Sequence, residues 1–190
     1  SFDAAMRMGT DVYRALKALL KKSGHSTAVG DEGGFAPEIS EETEAIELIL
    51  EAITRAGYAP GSDFSLALDA ASSEWKDKHG YTMPKSGRSY TAHELTAHWQ
   101  NLISQYPICS IEDPLDEEDW PAWQAATKLM GGSCQLVGDD LFVTNIARLS
   151  RGISMGCGNA ILLKPNQIGT LSETIRAAQL AKEHGFKTIV

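Results

Sequence analysis

Apolar residues recur along this chain in two alternating rhythms. Between residues 3 and 22 they fall at Ala5, Met8, Val12, Leu16 and Leu19, the spacing of one helix face, and Gly24 follows as a stop. Residues 41–56 repeat that rhythm with Ala45, Ile46, Ile49, Leu50 and Ile53. Ser40 is the expected N-cap there, and Glu41 and Glu42 suit the positive end of the helix dipole. Thr91 with Glu94, and Thr170 with Glu173, have capping-box spacing. They predict one helix running to about Ile103 and another ending at His184-Gly185. Two more helices are expected to start near Asp119 and Thr144. Between the helices lie Phe64–Leu68, Ile108–Ile111, Gln135–Val137, Ala160–Leu163 and Thr188–Val190. These apolar runs are too short for helices and are bounded by turns, which suits buried parallel strands.

Strands separated by helices imply βαβ units and an α/β fold. Their regular alternation favours a (β/α)8 barrel over an open sheet. A closed barrel takes about 250 residues, so 190 predict a partial barrel, incomplete at both ends. The first residues read as already inside a helix and the last as an uncompleted strand, so a piece of a longer protein is expected. The polar stretch Lys76–Tyr90 reads as an excursion within one strand-to-helix connection, leaving residues 1–190 as a single domain.

Composition adds constraints. The chain is 43% hydrophobic and 22% charged, in the range of a globular protein, and no run approaches the roughly 18 apolar residues of a membrane span. A net charge of −8 argues against direct nucleic-acid binding. It does not exclude an anionic substrate, because a bound cation reverses the local sign. Cys109, Cys134 and Cys157 form no CxxC pair and read as small buried hydrophobes in a reducing, cytoplasmic setting. Trp75, Trp99, Trp120 and Trp123 read as packing residues, and Asp116–Asp119 as a solvated acidic face. No role is assigned to the five histidines.

What ends each strand carries the chemistry. Leu66–Leu68 runs into Asp69, Cys109–Ile111 into Glu112-Asp113, Leu136–Gly138 into Asp139-Asp140, and Ile161–Leu163 into Lys164. The carboxyl ends of barrel strands form the face that carries active sites. Three carboxylates converging there would repel, and a hard divalent cation resolves this. Mg²⁺ prefers such oxygen ligands, whereas the absence of an adjacent His argues against Zn²⁺. Asp69, Glu112 and Asp139 are therefore the expected metal ligands. Asp31, Asp113 and Asp140 are candidates to hold neighbouring groups in place. Lys164 reads two ways on chemistry alone: a base whose pKa falls beside a dication, or an ion-pair partner of one of the acids. Val29–Pro37 sets Asp31 and Glu32 among three glycines, a tight loop that a ligand can approach closely.

Taken together, Val29–Pro37 (VGDEGGFAP), Leu66–Glu74 (LALDAASSE), Gln105–Pro114 (QYPICSIEDP), Gln135–Asn145 (QLVGDDLFVTN) and Leu162–Leu171 (LLKPNQIGTL) resemble the enolase family, in its order and near its spacing. The resemblance runs from about residue 3 to the end. It implies Mg²⁺ ligands at Asp69, Glu112 and Asp139, a catalytic base at Lys164 and a general acid at Glu32. Glu112, Asp139 and Lys164 would also contact substrate. A Lys base beside Mg²⁺ is a known pattern of the superfamily. The implied reaction is the reversible dehydration of 2-phosphoglycerate to phosphoenolpyruvate: Lys164 removes the carbon-bound proton, and protonated Glu32 helps the hydroxyl leave as water.

Pro165 departs from the resemblance, since a bulky apolar residue is commoner there; proline removes a donor and restricts Lys164. The resemblance also implies an N-terminal capping domain, earlier strands and a last barrel segment that these residues do not include. The 190 residues alone are therefore expected to be inactive. A cytoplasmic homodimer or octamer is implied, with a secondary cell-surface presence among the family's properties. The alternatives are another lyase or racemase of the superfamily, against which GDEGG and NQIGTL count, and a non-catalytic surface-binding role.

Overall fold

The computed structural model describes residues 1–190 and resolves into two compact units, Ser1–Ser65 and Leu66–Val190. In the first unit, helix α1 (Phe2–Lys22) starts on Ser1, whose hydroxyl accepts the Ala4 N–H, and ends with Lys21 and Lys22 at the negative end of its dipole. Helix α2 (Glu42–Arg55) packs against it through Leu19, Leu20, Ile46, Ala52 and Ile53. Ser40 is not the cap of α2. Glu41 occupies that position and makes no side-chain cap bond, so the helix starts on backbone geometry and first-turn acids. The intervening loop is fastened by Tyr13, which stacks on Phe35 at 4.4 Å and donates its hydroxyl to the Gly33 carbonyl at 3.2 Å.

The second unit is built on five parallel strands: β1 (Leu66–Asp69), β5 (Ile108–Glu112), β6 (Gln135–Gly138), β7 (Ala160–Leu162) and β8 (Lys187–Ile189). Between β1 and β5 come three short antiparallel strands, β2 (Lys76–Asp77), β3 (Gly80–Thr82) and β4 (Ser89–Tyr90), and helix α3 (Ala92–Gln105). Helices α4 (Trp120–Met130), α5 (Ile146–Met155), α6 (Pro165–Ile168) and α7 (Leu171–Glu183) follow in the later connections. Spatial order equals chain order in the five-stranded sheet, so each new strand adds at the same edge. A doubly wound sheet reverses direction; this one runs on as the arc of a barrel. The α/β, partial-barrel expectation holds.

Capping explains most helix starts. Thr91 and Glu94 form both bonds of the capping box, and Asp119 accepts the Ala122 N–H. Helix α5 starts one residue later than expected, on Asn145, whose side chain accepts from Ala147 and Arg148. The three-stranded sheet β2–β4 was legible in the sequence only as a polar excursion.

Leu95, Trp99, Leu102, Ile111, Trp123, Leu136, Val137, Ala160 and Ile161 form the core between helices and sheet. Trp120 is buried too, but Trp75 only in part. Phe142 fills the space that Gly138 and Gly152 leave: a Cβ on either would lie 2.5 or 2.4 Å from its ring. Two corrections concern exposure. Cys134 and Cys157 are buried, but Cys109 is exposed. Asp116–Asp119 is no freely solvated face. Glu118 pairs with Arg148 at 2.7 Å, Asp116 lies 3.8 Å from Lys76, and Asp119 caps α4.

Tyr81 on β3 is fully buried, and its hydroxyl accepts the Asp116 N–H at 3.0 Å. Burial pushes its pKa up to about 12. A pKa raised on folding gives stability that is complete below pH about 10 and is lost as pH climbs toward 12. Tyr81→Phe should cost about 1 kcal/mol at neutral pH, by leaving the Asp116 N–H unpaired, and should flatten the alkaline loss. Urea unfolding at pH 7.5 and pH 11 would show both effects.

Candidate metal centre and active site

Asp69 and Glu112 are paired residues at the carboxyl ends of β1 and β5, so parallel register sets their side chains side by side. Asp139 follows β6 and is 7% exposed; Lys164 follows β7. The Lys164 ammonium forms an ion pair with Asp139 Oδ2 at 2.5 Å. Asp69, Glu112, Asp139 and Lys164, all expected from the sequence, therefore meet at one end of the sheet. Glu32 belongs to the first unit, on an exposed turn closed by the Gly30 N–H to the Gly34 carbonyl at 2.9 Å.

Burial, then the charges of Asp69 and Asp139, push the Glu112 carboxyl up to about 7, against the opposing pull of Lys164. One lysine thus fails to neutralise three acids. The deficit is positive charge, and the donors are all carboxylate oxygens, so the site fits a hard divalent cation. Ligand-capable oxygens of Glu112, Asp113 and Asp139 lie within 4.8 Å of one another.

Asp113, in that trio, already has other work. It is 3% exposed, and its backbone takes the left-handed conformation at φ 39°. One carboxylate oxygen accepts the Asp139 N–H at 3.2 Å, and the other accepts the Asp140 N–H at 2.8 Å. Burial pushes its pKa up to about 7, and the N–H groups of Asp140 and Leu141 counter only in part. Both Asp113 oxygens thus hold backbone N–H groups, which suits it to anchor the Asp139 backbone. Asp69, the third acid expected from the sequence, is paired with Glu112 across the strands and accepts the Ala71 N–H at 3.1 Å. The two assignments separate by calorimetric Mg²⁺ titration of the full-length protein. Asp69→Asn should abolish measurable binding, whereas Asp113→Asn, which aims an N–H at an N–H, should weaken it by about 10–100-fold.

The hydrogen bond to Asp139 raises the Lys164 pKa, and burial opposes that only partly. Of the two readings left open by the sequence, the ion pair is the one the structure shows. Sequence reasoning also missed Thr144 and Gln167. Thr144 is fully buried at φ 58°, and its hydroxyl accepts the Lys164 N–H at 2.9 Å. Gln167 reaches Asp139 Oδ1 through its amide at 3.4 Å. The available signal was two polar residues inside the segments LFVTN and NQIGT, on either side of the lysine.

The whole chain, residues 1–190, matches a protein family described as enolase, C-terminal TIM barrel domain. The chain belongs to that family. Membership in the enolase family agrees with the sheet order and with the acids and lysine at the strand ends. No helix is long and apolar enough to cross a membrane.

Proposed function

We propose that this chain is the central part of the catalytic barrel of a glycolytic enolase, a cytoplasmic hydro-lyase that interconverts 2-phosphoglycerate and phosphoenolpyruvate. In this reading residues 1–190 form part of one domain. A capping domain and a last barrel segment, supplied by the rest of the protein, complete the site. The observation that supports it best is the meeting of Asp69, Glu112, Asp139 and Lys164 at the carboxyl ends of consecutive strands in an enolase-family chain.

Asp69, Glu112 and Asp139 would hold Mg²⁺. When bound, the ion supplies positive charge against the negative charge that develops on the substrate carboxylate as the neighbouring C–H bond breaks. The residues do the rest. Asp139 is shared between the proposed cation site and Lys164, and its hydrogen bond is the first cause of the raised lysine pKa. A Lys164 amine no longer held by Asp139 would lose that cause. Its Nζ is then able to take the proton from the carbon next to the carboxylate. Glu32 in the GDEGG loop would protonate the leaving hydroxyl, which departs as water. Pro165 is compatible with this chemistry: it occupies the first position of α6, where a helix needs no N–H.

The test is formation of phosphoenolpyruvate from 2-phosphoglycerate by the full-length protein with Mg²⁺. Turnover that chelation abolishes and Mg²⁺ restores supports the proposal. A folded, Mg²⁺-binding protein that forms no phosphoenolpyruvate refutes it.

A further inference from the structure

Val143 and Thr144 are consecutive β-branched residues, and both adopt left-handed backbone, at φ 43° and φ 58°. This conformation is unfavourable for such side chains and persists only where surrounding structure enforces it. The enforcing contacts lead to one residue. The Thr144 hydroxyl accepts the Lys164 N–H at 2.9 Å. It can donate in turn to the Leu162 carbonyl at 3.4 Å or to Gln167 Oε1 at 3.3 Å. Gln167 then closes the circuit with its amide on Asp139 Oδ1, while the Lys164 ammonium holds Asp139 Oδ2. Lys164 is the last residue of extended backbone before α6, and Pro165 beyond it has no N–H to offer. At this bend a fully buried hydroxyl thus receives the Lys164 N–H.

We infer that Thr144 is a positioning residue for Lys164: its strained backbone places a hydroxyl that fixes the end of β7, and thereby the reach of the Lys164 amine over the Asp139 carboxylate. The strain serves this purpose, since right-handed backbone at Thr144 would aim the side chain elsewhere. This inference rests on Lys164 being the base of the proposed reaction.

The test compares Thr144→Val, Thr144→Ser and Thr144→Gly with the parent, all in the full-length protein. The readouts are kcat, KM for 2-phosphoglycerate, and Mg²⁺ affinity by calorimetry. Valine keeps the shape and removes the hydroxyl. It should lower kcat by about 10–100-fold, with KM and Mg²⁺ affinity within about threefold of the parent. Serine restores the hydroxyl and should restore kcat to within about threefold. Glycine accepts φ 58° without strain, so it folds even if valine does not, and it should be as slow as valine. Parent-like kcat in the valine or glycine variant overturns the inference, as does serine no faster than valine. A parent with no turnover overturns the proposed function and this inference with it, whereas an active parent with indifferent Thr144 variants overturns this inference alone.

Discussion

Lys164→Ala should lower turnover of 2-phosphoglycerate by about 10²–10⁴-fold, the span that a positioned general base contributes. The same substitution should leave Mg²⁺ affinity unchanged or tighter. Lys164 and Asp139 are ion-paired, so the lysine would compete with a cation for that carboxylate. Removing it ends the competition and also removes a like charge from beside the metal. A lysine with a purely structural role would behave differently: its loss would leave Asp139, 7% exposed, without a counter-charge, and the folded state would weaken. Activity, calorimetry and thermal unfolding on one pair of proteins separate these outcomes. Weaker Mg²⁺ binding together with a lower Tm would favour the structural role.

Glu112→Gln should produce opposite effects on binding and stability. It removes one of the proposed ligands, so Mg²⁺ binding should fall by more than the roughly 10–100-fold that loss of an outer partner costs. Yet the chelator-treated protein should gain stability above neutral pH. The sign follows from the raised pKa. Glu112 titrates near 7 in the fold against an ordinary value of 4.5, chiefly through burial and then through Asp69 and Asp139. Its contribution is complete below pH 4.5 and declines as pH rises to 7, and above 7 the ionised group opposes folding. Glutamine carries no charge. After discounting for solvent screening, a gain of about 1 kcal/mol at pH 8 is expected, with little difference at pH 4.5. A metal ligand that destabilises the empty protein is the ordinary compromise of a functional site. Urea unfolding in chelator at the two pH values measures it, and a variant less stable than the parent at pH 8 would contradict the account.

Some of this could be read from the sequence because it depends on local periodicity. The Thr91–Glu94 capping box, the apolar runs before Asp69, Glu112, Asp139 and Lys164, and the strand–helix alternation are properties of short segments, and the structure reproduces them. What could not be read depends on partners distant in the chain. Asp113 could be recognised as an anchor only once β6 lay beside β5, bringing the Asp139 and Asp140 N–H groups to its carboxylate. The acids Asp116, Glu118 and Asp119 looked solvated because Lys76 and Arg148, the partners of Asp116 and Glu118, lie 40 and 30 residues away in sequence. Ser40 failed as a cap because side-chain type is only a preference, and the chain enters α2 one residue later. The ion pair of Lys164 with Asp139 could be named from the sequence only as one of two alternatives, because its members lie 25 residues apart. Thr144 was missed because nothing in the letters LFVTN announces left-handed backbone at two β-branched residues.

The central claim is that Lys164 takes a proton from carbon and Glu32 assists the departing hydroxyl. The most direct measurement places 2-phosphoglycerate, Mg²⁺ and the full-length protein in deuterated water, and follows both deuterium entry at C2 and phosphoenolpyruvate formation. The parent should do both. Glu32→Gln should still exchange the C2 proton while dehydrating far more slowly, and Lys164→Ala should do neither. Exchange at the parent rate in Lys164→Ala would contradict the account.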